Sequence, residues 1–293
     1  MQIIDKAREL GFELVGLTRA HPVPHYDSLL TWLDRGYAAM MGYLQRGAEK
    51  RGDPSKILPG VKTIICCGLN YFTENPEGPV SRYAWGDDYH SVVGDRLQKL
   101  EEFIRKIAPE AQTKSYVDTG PILERNFAAQ AGLGWIGKNT CLINNGVGSY
   151  FFLGEILTTL EFEEHEYHRP VMDQCGTCTK CLEACPTQAL VEAYVLDSNK
   201  CISYLTIEHR GDFSPEQKKM VGDHIYGCDI CQQVCPYNER IQETPLKEFQ
   251  PRSEWQEKQG EWKEWTEEEF KKAIRGSAMT RIKYPQWKRN LEN

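Results

Sequence analysis

Cys175-Gly-Thr-Cys178-Thr-Lys-Cys181-Leu-Glu-Ala-Cys185-Pro186 is the stretch from which the rest of the chain is read. Its cysteines stand at the steps C-x-x-C-x-x-C-x-x-x-C-P. This spacing holds 4Fe–4S clusters in pairs, with the fourth cysteine of a run reaching the other cluster. A second set follows: Cys201, then Cys228-Asp-Ile-Cys231-Gln-Gln-Val-Cys235-Pro236. Three thiolates at three-residue steps cover one face of a cuboidal cluster, and a fourth from far away in sequence closes the chain around it. The crossing rule assigns Cys175, Cys178, Cys181 and Cys235 to one cluster, and Cys185, Cys201, Cys228 and Cys231 to the other. Cys201 departs from the simple pattern, because residues 202–227 separate it from Cys228. Zinc takes its ligands as two C-x-x-C or C/H pairs, which leaves the C-x-x-x-C-P repeats unexplained. Disulfides need an oxidising compartment, which nothing in the sequence signals.

At 293 residues the chain is too long for a bare two-cluster ferredoxin and suits about two domains. A hydrophobic content of 40% is enough for an ordinary globular core. The opening MQIIDKARELGF is a charged amphipathic helix with no apolar run or small-residue cleavage site, so no signal peptide is read. No apolar run approaches the ~20 residues of a membrane span. These features point to a cytoplasmic protein with no membrane partner, where thiols stay reduced. Cys66, Cys67 and Cys141 lie in apolar, strand-like contexts and read as buried small side chains.

The net charge of −7 argues against non-specific coating of nucleic acid. The end of the chain differs: Lys271, Lys272, Arg275, Arg281, Lys283, Lys288 and Arg289 stand against Glu292 alone, a net +6. A basic tail on an acidic protein suits a polyanion partner as well as it suits a solvated helix end.

Periodicity predicts helices over 2–11, 27–37, 40–48 and 89–108, with a helix over 122–131 led by Pro121. It predicts strands over 13–18, 63–71, 114–117, 140–143 and 150–158, and loops at Glu49–Pro54 and before Val80. This alternation makes 1–165 an α/β-type domain. The cluster region follows over 166–245, and 246–293 form a mostly helical tail. Gly132-Leu-Gly134-Trp-Ile-Gly137 spells G-x-G-x-x-G, but a helix precedes it and a strand follows, the reverse of a dinucleotide site. With Lys138 it nearly spells a phosphate loop, yet Asn139 replaces the hydroxyl residue. The stretch is either a turn ending a helix or backbone that lets a large flat ligand come close. Asp118-Thr119-Gly120 matches one half of an aspartic protease pair and lacks the other. Asp118 reads as a cap or as a proton donor at a strand end. Asp88-Tyr-His90-Ser-Val-Val-Gly94 resembles a cobalt-ligating corrinoid motif, with one residue too many, so His90 is expected to be structural.

Taken together, SRYAWGDDYH (81–90), VDTGPILERNFAAQAGLGWIGKN (117–139), GSYFFLGEIL (148–157), CISYLT (201–206) and YGCDICQQVCPYN (226–238) resemble the epoxyqueuosine reductase family. The likeness runs from about Arg51 to the end of the chain. It implies an α+β protein: a nitroreductase-like α/β cobalamin-binding domain, akin to that of reductive dehalogenases, a ferredoxin-like domain with two 4Fe–4S clusters, and a short helical basic tail. GSAMTRIKYPQWKRN (276–290) matches a motif that opens a helical HEAT-like repeat region in many members, so the chain resembles a short form of the family.

The implied activity is reduction of epoxyqueuosine to queuosine at the tRNA anticodon wobble position, the last step of queuosine synthesis. Electrons pass through the clusters to base-off cobalamin, from a donor such as flavodoxin or ferredoxin. The resemblance makes Asp118 the proton donor, with burial raising its pKa towards neutrality. It places Arg51, Ser81, Leu142, Leu153, Ser203, Cys228 and Asp229 around the cofactor. Ser81 stands where some members carry cysteine. The segment between Cys201 and Cys228, with Glu208-His209-Arg210, and the basic tail are the expected tRNA-facing parts of a monomer. The alternatives are another corrinoid-dependent reductase, dehalogenase-like or corrinoid-activating, and an electron-transfer iron–sulfur protein without cobalamin.

Overall fold

The structure, a computed structural model, describes residues 2–74 and 78–293. The middle of the loop expected before Val80, residues 75–77, lies outside the described residues. Helix α1 (Gln2–Glu9) buries Ile3 and Ala7, one turn apart, and leads into strand β1 (Leu14–Arg19). Helices α2 (Tyr26–Asp34), α3 (Gly42–Arg46) and α4 (Ala48–Gly52) follow. The sequence pattern predicts only two helices here and a loop at Glu49–Pro54. Gly47 instead divides two short helices, and Arg51 rides on the second.

Strand β2 (Thr63–Asn70) is buried at every position. Helix α5 (Tyr89–Ile107) is capped by the Asp88 side chain, and strand β3 (Thr113–Tyr116) and helix α6 (Glu124–Gln130) come after it. The β2 pleat sends Ile65, Cys67 and Leu69 into a core with Val93, Leu97 and Leu100 of α5. It sends Ile64 and Cys66 into a second core with Phe127 and Ala128 of α6. Cys66 and Cys67 are therefore the buried side chains their context predicted.

Strands β4 (Trp135–Ile136) and β5 (Leu142–Ile143) pair as a short hairpin, and β6 (Phe151–Thr158) enters the main sheet. That sheet runs β1-β2-β6-β3, and all its pairings are antiparallel. Helix–strand alternation suggested an α/β domain, but antiparallel ladders need no crossover helix, and the sheet is of the α+β kind. A Cβ on Gly154 would stand 2.8 Å from the side chains of both Val93 and Leu97, so this glycine lets α5 lie directly on β6. Pro121 does not start α6, whose first residue is Glu124.

The cluster region holds helix α7 (Lys180–Ala184), strands β7 (Leu190–Glu192) and β8 (Val195–Leu196), and helices α8 (Ile202–Ile207), α9 (Pro215–Val221) and α10 (Ile230–Gln233). The interval after Cys201 is thus largely helical, and Ser214 and Gln217 close a capping box on α9. Helices α11 (Ser253–Glu257), α12 (Glu267–Ala273) and α13 (Tyr284–Leu291) make up the tail. Among the described residues no helix is long and apolar enough to cross a membrane.

The tail shares its core with the rest of the molecule. Trp255, Trp262, Trp265, Phe270 and Trp287 pack with Val80 and Trp85 from the first region and Ile207, Ile225 and Tyr226 from the cluster region. Trp287 is fully buried and stacks on Trp265 with ring centroids 6.1 Å apart. Trp287→Ala is expected to cost about 3–5 kcal/mol of stability, read as a lower denaturant midpoint. An unchanged midpoint would contradict a shared core.

Candidate active site and metal centre

The two ligand runs fold alike. Helices α7 and α10 each carry one cysteine of a run, Cys181 and Cys231, and Pro186 and Pro236 follow the last cysteine of each. Electrostatic influence among the thiols sorts them into two sets. Cys175 and Cys178 act on Cys181, and Cys175 and Cys181 act on Cys235. Cys201 and Cys185 act on Cys228, and Cys228 and Cys201 act on Cys231. These influences follow the two foursomes that the crossing rule names, with Cys141 beside them, and among the described residues no three such side chains are already gathered closely enough to hold a metal ion. All eleven cysteines are free thiols.

The donor set suits two clusters. Burial and neighbouring thiols push Cys228 up to about 12, so iron's positive charge is what would make this crowding of sulfur favourable. The Ala189 N–H already points at Cys185 Sγ from 3.3 Å, as a donor to a ligating sulfur does. Cys141 is not the inert buried side chain expected: its sulfur hydrogen-bonds Cys231, one of the eight.

The glycine-rich stretch next to these loops is a clamp. A Cβ on Gly134 would overlap the Ile143 carbonyl oxygen, so the glycine serves the β4–β5 hairpin and not an external ligand. Beyond it, Lys138 Nζ donates to the carbonyls of Gly176 (2.6 Å) and Cys178 (2.9 Å). Asn139 donates to the carbonyl of Cys231 at 3.2 Å. The residues that imitate a phosphate loop hold the cysteine loops in place.

Asp118 sits where β3 ends, with φ +57, a left-handed conformation that aspartate tolerates better than most residues. Its side chain is 62% exposed and so reachable by a ligand. Tyr89 donates its hydroxyl to Asp118 Oδ2 at 3.0 Å, and His90 Nε2 stands 3.5 Å from the same oxygen. His90 Nδ1 lies 2.7 Å from Asp88 Oδ1. Burial alone would push the His90 imidazole down, but its bonds to Asp118 and Asp88 outweigh that and hold it at about 9. The hydrogen bond from His90 in turn keeps Asp118 below the usual carboxylate range. The expected burial-raised Asp118 is thus not what the structure holds: the proton of this pair rests on His90.

His90, expected to be structural, therefore belongs to this site. Its folded value lies above the ordinary ~6.5. The stability it contributes is complete below about 6.5 and is lost as pH rises through about 9. Between pH 7 and 10 the unfolding temperature of the parent is expected to fall more than that of His90→Gln. Parallel profiles would contradict the pairing.

The other expected cofactor contacts lie at several places. Ser81 is buried with its hydroxyl on Asp229, and the Arg82 N–H donates to Asp229 Oδ2 at 2.7 Å. Ser81, Cys228 and Asp229 line one cleft of about 470 Å³ with Phe72, Tyr150 and His224. Leu142 and Leu153 meet in the core that also holds Ile122 and Leu123, beside the Asp118 turn. Arg51 is buried, and its Nη2 reaches the Gly120 carbonyl of that turn at 3.5 Å. Ser203 lies in the first turn of α8, two residues after Cys201.

The basic tail is partly spent internally. Arg281 grips Glu208 through two bonds of 2.8 and 2.9 Å, and its guanidinium lies 5.9 Å from the Tyr43 ring centre. Arg289 stacks on Phe213 at 3.9 Å and donates to the carbonyls of Leu205, His209 and Gly211. Lys272, Arg275 and Lys283 are exposed. Arg281 and Tyr43 lie within electrostatic range of Asp118. Tyr43 and Tyr89 were not singled out from sequence, because they come from separate segments and carry no local motif; Glu208 and Arg281, expected to face tRNA, are instead bonded to each other.

Comparison with known proteins bears on the cluster region and on the chain as a whole. Residues 51–119 match the family model described as "Epoxyqueuosine reductase QueG, DUF1730", and residues 174–238 match "4Fe-4S double cluster binding domain". The epoxyqueuosine reductase of Gloeobacter violaceus is 42% identical over 100% of this chain and 94% of its own length. An epoxyqueuosine reductase solved with an epoxyqueuosine-modified tRNA-Tyr stem loop superposes with a TM-score of 0.89 at 33% identity, covering 99% of this chain and 79% of that one. A Bacillus subtilis epoxyqueuosine reductase, described with its catalytic aspartate loop swung out of the active site, superposes with a TM-score of 0.89 at 31% identity, with the same coverage.

Proposed function

This chain belongs to the epoxyqueuosine reductase family and reduces epoxyqueuosine to queuosine in tRNA, and we propose that it does so with two 4Fe–4S clusters, base-off cobalamin and Asp118 as proton donor. The reaction takes two electrons and two protons, opens the epoxide to an alkene and releases its oxygen as water. The clusters supply single electrons, and cobalamin, when bound, supplies a cobalt centre able to collect two.

One observation carries the reading. Ser81 and the Arg82 N–H bind Asp229, so the first domain is stitched to the residue next to the ligand Cys228. Redox centre and substrate-facing domain therefore meet at one seam. Cys175, Cys178, Cys181 and Cys235 would hold the outer cluster, and Cys185, Cys201, Cys228 and Cys231 the inner one. Arg51, Ser81, Leu142, Leu153, Ser203, Cys228 and Asp229 would contact cobalamin. His90 keeps a proton at Nε2 facing Asp118 Oδ2. As negative charge builds on the departing oxygen, Asp118 takes the Nε2 proton of His90 and passes it on, and His90 is reprotonated from solvent. Tyr89 fixes the carboxylate that does this.

The substrate base lies at the anticodon wobble position, and Lys272, Arg275 and Lys283 supply exposed charge for phosphates. Affinity for tRNA should then fall steeply between 50 and 200 mM salt, because each phosphate contact releases a counterion (these concentrations are the usual reference range). The protein acts as a monomer in the cytoplasm, fed by a flavodoxin or ferredoxin.

The test is anaerobic turnover. Protein loaded with iron–sulfur and cobalamin is given epoxyqueuosine tRNA and a low-potential reductant, and the digested nucleosides are read by mass spectrometry. Queuosine is the expected product. A base-off cobalamin spectrum with no queuosine formed would overturn the substrate assignment.

A further inference from the structure

We propose that Glu155, buried in the sheet, and Glu124, half-buried at the start of α6, form the catch that holds the Asp118 turn in its working position. The inference rests on the reading of Asp118 as proton donor. The Asp118 turn is tight: its φ is +57, and the Thr119 N–H bonds back to the Val117 carbonyl at 2.5 Å. Such a conformation costs free energy and persists only where surrounding contacts over-determine it. The side chain of Asp118 faces His90 and Tyr89. Its backbone N–H points the other way and donates to Glu124 Oε1 at 2.6 Å, a short bond of the charge-assisted kind.

Glu124 is the first residue of α6, and Glu155 lies in the middle of β6, opposite Cys66 on one side and Tyr116 on the other. Glu155 is fully buried, and neither of its carboxyl oxygens meets a donor N–H or O–H among the described residues. The group it does face is the carboxyl of Glu124. An ionised carboxylate without a donor is not tolerable in such a place, so Glu155 carries a proton and donates it to Glu124. Burial, with Asp118 nearby, pushes Glu124 up to about 7, while Arg125 favours its ionised form. Burial and Glu124 push Glu155 well above the usual carboxylate range.

The chain of donation then runs in one direction. Glu155 O–H donates to the Glu124 carboxylate, and that carboxylate accepts the Asp118 N–H. Arg51 closes the other end of the turn at the Gly120 carbonyl. Glu124 and Glu155 act through the Asp118 backbone and not on the reacting atoms, so they are positioning residues. A loop that can leave the active site, as described for the Bacillus subtilis relative, needs a contact that decides when it is in. The carboxyl pair supplies one.

The experiment uses the cluster-loaded full chain. Glu155→Leu removes the donor, Glu124→Gln removes the charged acceptor, and Glu155→Gln keeps a donor at the same place without a titrating group. Hydrogen exchange of the Asp118 amide is expected to quicken about tenfold in Glu155→Leu and severalfold in Glu124→Gln, whose amide oxygen still accepts but carries no charge, and to stay near the parent rate in Glu155→Gln. Infrared spectra should show a protonated-carboxyl band in the parent that Glu155→Gln lacks. With loaded enzyme, Glu155→Leu should lower kcat about tenfold at unchanged KM for tRNA, with Glu155→Gln restoring it. Faster exchange with unaltered kcat would support the catch and count against Asp118 as donor. Parent-like exchange in both Glu124→Gln and Glu155→Leu would overturn the catch, as would a parent spectrum without the carboxyl band. Near-isosteric Glu124→Gln and Glu155→Gln carry the test if Glu155→Leu does not fold.

Discussion

Asp118→Asn is expected to lower kcat by about a hundredfold to ten-thousandfold, the range for removing a positioned general acid. Iron content, the base-off cobalamin spectrum and tRNA affinity should all stay at the parent level. Asparagine tolerates the left-handed φ at this position and keeps an oxygen for Tyr89, so the substitution spares the fold. What it removes is the carboxylate that accepts the proton of His90 and hands it on. His90 then loses one of the two partners that hold it near 9, and its imidazole should titrate lower, a shift visible by NMR. Full activity in a loaded Asp118→Asn protein would remove Asp118 from the proton path.

Cys185→Ala should abolish turnover and separate the two clusters. In the crossed assignment this cysteine closes the set of Cys201, Cys228 and Cys231, although it ends the first run in sequence. The variant should retain about four iron atoms per chain in place of about eight, bound by Cys175, Cys178, Cys181 and Cys235. Cys175→Ala should leave the complementary cluster. Electron paramagnetic resonance of the two reduced variants would then give two different spectra whose sum resembles the parent. If Cys185→Ala instead emptied the set of Cys175, Cys178 and Cys181, the crossing would be wrong.

The cluster centre was legible because its information is local. Cysteine spacing and the two following prolines mark it without reference to the fold. The first region was legible in its elements, since apolar periodicity over 63–70, 89–107 and 151–158 reports buried faces directly. Strand order was not, because pairing of β2 with both β1 and β6 is decided by contacts far apart in sequence. The tail was misjudged for the same reason. Its tryptophans find their partners in Trp85 and Tyr226, and charge counting treats Arg281 and Arg289 as free when they are tied to Glu208 and to backbone carbonyls.

Glu155 shows a different limit. In FFLGEILT it reads as one polar residue in a strand, and only the sheet register turns it inward beside Glu124. The Asp118 and His90 pairing joins a strand end to a helix start, so neither residue signals the other. Asp118 was found by family resemblance, whereas His90 was set aside because its motif looked imperfect.

The central claim is that electrons from the two clusters reach the epoxide through cobalamin at the seam joining Ser81 to Asp229. It is tested most directly by anaerobic turnover of cluster-loaded protein on epoxyqueuosine tRNA, with and without added cobalamin, scored by nucleoside mass spectrometry. Queuosine formed only when cobalamin is present is the predicted result. Equal conversion by protein verified to be free of cobalamin would contradict it.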